Sequence, residues 1–163
     1  VTEETTTPPR KTVMIHTDGA CLGNPGPGGY GAVLDCDGER REISGGRKLT
    51  TNNRMELLAC IEALELLTDP CDVSLVTDSR YVHDAIEKRW LASWIKKGWV
   101  NSERKPVKNQ DLWRRMIPLL SRHKIKFNWV RGHTGHPENE RCDVLARNAA
   151  NTRGLPVDEG YPG

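Results

Sequence analysis

No apolar run in the chain approaches the roughly 18 residues that a membrane-spanning helix needs, so no span is expected. The first eleven residues are polar, with Thr and Pro, and hold no apolar stretch of the kind a secretory signal requires. A cytoplasmic location is the default that follows. No Cys-x-x-Cys occurs, and the five cysteines, Cys21, Cys36, Cys60, Cys71 and Cys142, are odd in number. That argues against a disulfide framework or a zinc knuckle and for reduced thiols in a cytosolic protein. There is no internal repeat, and no low-complexity segment beyond the ends. Net charge is also small: 24 Lys and Arg against 22 Asp and Glu leave +2.

What charge there is lies unevenly. Between Lys88 and Lys108 seven basic residues stand with one acid, Glu103, so that this segment is +6 and the remainder of the +2 chain is −4. A basic patch beside an acidic remainder suits a polyanionic partner together with a cation-binding centre. The 163 residues fit one domain that needs no cross-links to fold.

Alternating apolar and polar side chains predict strands over Val13–Asp18 and Lys124–Val130, Tyr30–Cys36 and Arg40–Gly46 read as two further strands, and Val73–Thr77 as a short buried one. The Gly/Pro run Gly23–Gly31 reads as a turn, and Asp37-Gly38 as a hairpin connection. Thr51–Leu67 is the clearest helix, with Asn53 and Glu56 spaced as in a capping box. Ser79 caps a second helix that ends near Lys88. A Trp-rich basic helical piece follows, broken at Gly98 and continued by a loop to Asn109. Gln110–Arg122 is helical with a disturbance expected at Pro118. Pro137 opens a last helix to about Asn151. Residues 1–11 read as a disordered lead, 12–151 as the domain, and 152–163 as a loose tail. The order implies an α/β fold: a five-stranded mixed sheet, three strands antiparallel and two parallel, covered by helices.

Carboxylates fall where such a sheet places its sites. Asp18 ends the first strand and Asp78 the fourth. Glu56 is one turn into the first helix, and Asp143 lies on the last. Four carboxylates meeting at one sheet edge would repel one another, and a hard divalent ion such as Mg²⁺ would relieve that repulsion. Any one of these acids alone would read as a solvated surface residue or a helix cap.

The segments around them change that reading. HTDGACLGNPGPGGYG, TTNNRMELLA, TDSRYV and RGHTGHPENERCDVLAR resemble type 1 ribonuclease H, in its bacterial form, in order and spacing from about Lys11 to about Ala150. The resemblance implies the ribonuclease H-like fold, with helices on both faces of the sheet. It implies a monomeric endonuclease that hydrolyses the RNA strand of an RNA–DNA hybrid with two Mg²⁺, Mn²⁺ being an alternative, and leaves 5′-phosphate and 3′-hydroxyl ends. Asp18, Glu56, Asp78 and Asp143 match the metal ligands, and His133 matches a loop histidine that assists proton transfer or product departure. His136 and Cys142 invite a zinc reading with His133, but Asn139 and Asp143 fit the magnesium site better.

The resemblance also assigns minor-groove contacts to Cys21, Asn24, Asn52 and Asn53, and a pocket for a DNA-strand phosphate to Thr51 and Asn109. Cap and turn chemistry is the local alternative for Asn24 and Asn52. Arg80 stands where the family usually has Gln; it cannot accept a hydrogen bond and suits a phosphate instead. Trp90, Trp94 and Trp99, with Lys96 and Lys97, match the basic protrusion of bacterial members, local packing being the alternative for Trp90 and Trp94. Two rivals remain: a catalytically dead hybrid-binding module, which would need a missing carboxylate, and an integrase-like strand-transfer enzyme, which the RGHTGHPENERCD segment and the protrusion oppose.

Overall fold

A computed structural model describes residues 10–132 and 136–162. Five strands, β1 (Lys11–Cys21), β2 (Gly26–Cys36), β3 (Glu39–Thr50), β4 (Cys71–Thr77) and β5 (Lys124–Trp129), form one sheet in the order β3-β2-β1-β4-β5. β1, β2 and β3 pair antiparallel, and β4 and β5 join parallel to β1. The helices are α1 (Asn52–Glu65), α2 (Arg80–Glu87), α3 (Trp90–Lys96), α4 (Gln110–Arg122) and α5 (Pro137–Ala150). The expected mixed sheet of three antiparallel and two parallel strands is therefore what forms.

Side-chain alternation along β2 shows how helices cover both faces. A Cβ at Gly28 would meet Met55 of α1, whereas a Cβ at Gly29 or Gly31 would meet the backbone of α5. Hence α1 and α5 lie on opposite faces, and glycine lets α5 sit almost on the strand. This corrects the turn expected over Gly23–Gly31. The chain is already in β2 at Gly26, and several of these glycines serve close packing.

α1 is buried nearly all round between the sheet and α4, with Leu57, Ile61 and Leu64 fully buried. Its cap is Thr51, whose Oγ1 accepts from the Arg54 N–H at 3.3 Å. The capping box expected between Asn53 and Glu56 does not form, because the third helical position is Arg54 and Glu56 is turned to other work. α4 runs unbroken through Pro118. The burial of Leu112, Trp113, Met116 and Leu119 outweighs the one backbone hydrogen bond that proline forgoes. Asp37 and Gly38 adopt φ of 53° and 81°, the double positive turn that a two-residue hairpin requires.

The ends differ from expectation where they are described. Lys11 is not part of a loose lead, since it pairs with Cys71 in the sheet. Residues 1–9 and His133 lie outside the described residues. The stretch after Thr152 has no helix or strand but is docked: Lys48 N–H donates to the Pro156 carbonyl at 2.8 Å, and Asp158 is buried on Arg54 and Thr50. A buried arginine attracts the tail carboxylate, a pairing that local pattern does not reveal.

His123 ends α4 with its ring buried. Nδ1 accepts from the Cys71 N–H at 3.0 Å, so the neutral ring carries its proton on Nε2, which has no partner. Burial, then the Arg122 and Arg10 charges, lowers its pKa below the ordinary 6.5. The folded form thus prefers neutral His123, and below pH 6.5 the unfolded chain binds more protons there. Stability from this group is present above 6.5 and declines as pH falls further. An NMR titration of the His123 ring should give a midpoint below 6.5; a raised one would contradict the burial argument.

Candidate active site and nucleic-acid interface

The site begins with strand register. His16 pairs with Val76 in the parallel β1–β4 ladder, so two residues further on Asp18 and Asp78 stand side by side at the carboxyl ends of adjacent strands. Glu56 reaches them because residue 19 is glycine. A Cβ at Gly19 would lie 2.6 Å from the Met55 carbonyl carbon and collide with the backbone of Glu56. One ligand oxygen from each of Asp18, Glu56 and Asp78 falls within 4.8 Å of the others. Trp129 on β5 steadies the Asp78 backbone, its indole N–H donating to the Asp78 carbonyl at 3.0 Å.

The cluster is electrostatically costly as it stands. Burial first, then the charges of Asp78 and Asp143, pushes Asp18 up to about 8 from 3.8. Glu56 is raised well above 4.5, again by burial first and then by Asp18 and Asp78. Its Oε2 is buried with no hydrogen-bond partner among the described residues. Asp143 acts on Asp18 through its charge but is not among the three that converge. Its carboxylate is 2.8 Å from Arg147, one turn along α5. Of the residues in the zinc reading, Cys142 is buried with its thiol donating to the His16 carbonyl at 3.2 Å, and burial pushes it up to about 12.

The expected nucleic-acid residues fall in three places. Asn24, Thr51, Asn53 and Asn109 line a cavity of about 670 Å³ together with Lys108 and the tail residues Gly160–Pro162. Asn24 Oδ1 also accepts from the Asn52 N–H at 2.9 Å, tying the β1–β2 loop to the start of α1. The single Cys21 S–H is within reach of the carbonyls of Gly26 and Thr50, 3.4 Å from each, which makes the thiol a fastener of the same corner. A second cavity of about 440 Å³ joins Asn52, Asn53, Glu56 and Asp78 to Arg80, whose guanidinium stacks 4.4 Å over the Trp129 ring.

Third comes the protrusion. Lys96 and Lys97 are exposed. Trp94 is half-buried edge-on against Trp113, centroids 5.8 Å apart, and Trp99 is covered by Arg114 at 4.4 Å. Of the three tryptophans only Trp90 is open, at 40% exposure, with Lys88 over its ring. Packing is what the structure assigns to Trp94, and the spacing of four from Trp90 does not make a shared exposed face.

A family model described as RNase H matches residues 10–151. The chain belongs to the ribonuclease H family. It is 66% identical over 151 residues to a ribonuclease H of Nitratidesulfovibrio vulgaris strain Miyazaki F, covering 93% of this chain and 97% of that one. A ribonuclease H of Pseudoalteromonas atlantica is 58% identical, covering 94% and 99%. Among solved structures, LC9-RNase H1, a type 1 RNase H with the type 2 active-site motif, is 34% identical with a TM-score of 0.79, covering 89% of this chain and 74% of that one. LC11-RNase H1, solved with an RNA/DNA hybrid, is 25% identical with a TM-score of 0.63, covering 85% and 96%.

Sequence reasoning toward ribonuclease H found the carboxylates but missed the residues that hold the cavity wall. Arg54, Tyr81, Asp111 and Asp158 are joined by hydrogen bonds around Asn109. Arg54 and Asp158 carried no signal except that an arginine so deep in an apolar helix must find carboxylates.

The raised carboxyls make a stability test. Because Asp18 titrates higher folded than unfolded, its contribution in the metal-free protein is present at pH 4 and lost as pH rises through about 8. Asp18→Asn should therefore be more stable than the parent in EDTA at pH 8 by on the order of 1 kcal/mol, and the two should converge near pH 4. Urea unfolding at both pH values measures this; a variant less stable at pH 8 would mean that Asp18 is not crowded.

Proposed function

We propose how the chain performs the activity its family defines, hydrolysis of the RNA strand of an RNA–DNA hybrid. Asp18, Glu56, Asp78 and Asp143 hold two Mg²⁺ ions at the end of the β1–β4 pair, Mn²⁺ being an alternative. The carrying observation is three converging carboxylates, one with a buried oxygen that no described residue satisfies. An all-oxygen donor set with an excess of negative charge fits a hard divalent cation. Such ions, when bound, supply an activated water and stabilise the leaving oxygen of an in-line displacement.

The chain's own residues do the rest. Trp129 fixes Asp78, and Gly19 keeps Glu56 beside Asp18. His133 moves a proton or assists departure of the 5′-phosphate product, leaving a 3′-hydroxyl. Cys21, Asn24, Asn52 and Asn53 line the minor-groove track where 2′-hydroxyls are sensed. Arg80, braced on Trp129, meets a phosphate next to the carboxylates. Thr51 and Asn109 grip a DNA-strand phosphate, and Trp90, Lys96, Lys97 and the cation-covered Trp99 present the outlying basic surface, with Trp94 anchoring it. The sheet and helices from β1 to α5, with the tail docked on them through Asp158, work as a monomer in the cytoplasm. No helix among the described residues is long and apolar enough to cross a membrane.

Incubation with hybrid, duplex DNA and duplex RNA in Mg²⁺ separates this reading from its rivals. Cuts should appear only in RNA within the hybrid. Comparable cutting of duplex DNA would favour a strand-transfer type of nuclease, and hybrid binding without cuts an inactive module.

Replacing Lys96 and Lys97 with Ala should raise KM and lower the salt slope of hybrid binding by about one per lost phosphate contact, with kcat little changed. Unchanged KM with collapsed kcat would remove the protrusion from substrate binding.

A further inference from the structure

Arg54 lies in the first turn of α1 with a side chain only 2% exposed. Its guanidinium has five N–H donors, and each finds an oxygen. Nε and Nη2 donate to Asp158 at 2.8 and 2.9 Å. Nη1 and Nη2 donate to Asp111 at 2.8 and 2.6 Å, and the remaining Nη1 hydrogen goes to Asn109 Oδ1 at 3.3 Å. No donor is left for a ligand in the adjoining cavity, so what Arg54 does there it does through Asn109. The Asn109 amide is held from both ends, since its Nδ2 donates to Tyr81 Oη at 3.0 Å. That leaves one amide hydrogen of Asn109, and the hydroxyl hydrogen of Thr51, for an anion.

Asp158 completes this arrangement from far along the chain. It takes two of the five Arg54 hydrogens and a third hydrogen bond from Thr50 Oγ1 at 2.7 Å. Burial opposes its charge, yet the bonds from Arg54 and Thr50 hold its carboxyl below the usual range. The residues that follow press close. A Cβ at Gly160 would collide with the Asp111 carboxylate and sit 2.8 Å from Arg54 Nη2.

We propose that Asp158 is a positioning residue for the DNA-strand phosphate grip: it fixes the plane of the Arg54 guanidinium, and Arg54 fixes the amide of Asn109. This rests on the reading of the Thr51–Asn109 cavity as a phosphate site. Simple electrostatics predicts the opposite effect. One arginine between two carboxylates leaves net negative charge beside a phosphate, so neutralising Asp158 should tighten binding if charge alone mattered. Positioning demands that it weaken binding.

The test uses the full chain as parent, Asp158→Asn and Asp158→Glu. Steady-state cleavage is measured on hybrids whose DNA strand carries one uncharged methylphosphonate, moved position by position. The parent should show a KM penalty at one DNA position. If it shows none at any position, the phosphate reading of the cavity fails and the inference falls with it.

Given that penalty, Asp158→Asn should raise KM on unmodified hybrid about tenfold, the scale of one hydrogen bond to a charged group, with kcat unchanged. The methylphosphonate should then cost it nothing further. Asp158→Glu should recover part of the loss. An Asp158→Asn protein with unchanged or lower KM overturns the proposal. So does one that keeps the parent's full methylphosphonate penalty while merely unfolding at lower urea, which would mark Asp158 as structural only. Should Asp158→Asn fail to fold, Thr50→Val removes one of the three hydrogen bonds to Asp158, and a smaller KM rise with a reduced methylphosphonate penalty is expected from it.

Discussion

The parallel pairing of β1 with β4 is the constraint on which the site hangs. Antiparallel neighbours would set the end of one strand against the start of the other. Parallel ones bring two carboxyl ends together, and here each carries an aspartate. The crossover that parallel pairing demands contains α1, which brings Glu56. Its close approach depends on a missing side chain at Gly19. Three carboxylates drawn from well-separated parts of the chain thus meet because of one register.

The same fold treats buried charge in two opposite ways. Around Arg54 each guanidinium hydrogen has an oxygen, and two carboxylates surround one cation. At Asp18 and Glu56 burial and the neighbouring carboxylates push protonation upward. A buried cluster of like charge is a liability for folding. Its persistence beside a fully partnered one separates what the chain needs for stability from what it needs for reactivity.

Much of this was legible beforehand. Element types and most boundaries followed from periodicity, and the carboxylates from their places at strand ends and from the motifs around them. The failures share a cause. Gly26–Gly31 looked like a turn because glycine is ambiguous between bending a chain and admitting a neighbouring helix, and only α5 decides between them. The tail looked loose because Asp158 is held by Arg54 and Thr50, more than a hundred residues away in sequence. Trp94 stayed open between packing and substrate contact because spacing cannot say that Trp113 would occupy its face.

Trp113 has a consequence of its own. Its ring is fully buried, receives Trp94 of the protrusion on one side, and donates from Nε1 to Tyr81 Oη at 2.8 Å. The same tyrosine oxygen accepts from Asn109 at the cavity. Protrusion and cavity are therefore linked through one side chain, and a shift of α3 would be passed by Trp113 and Tyr81 to the Asn109 amide.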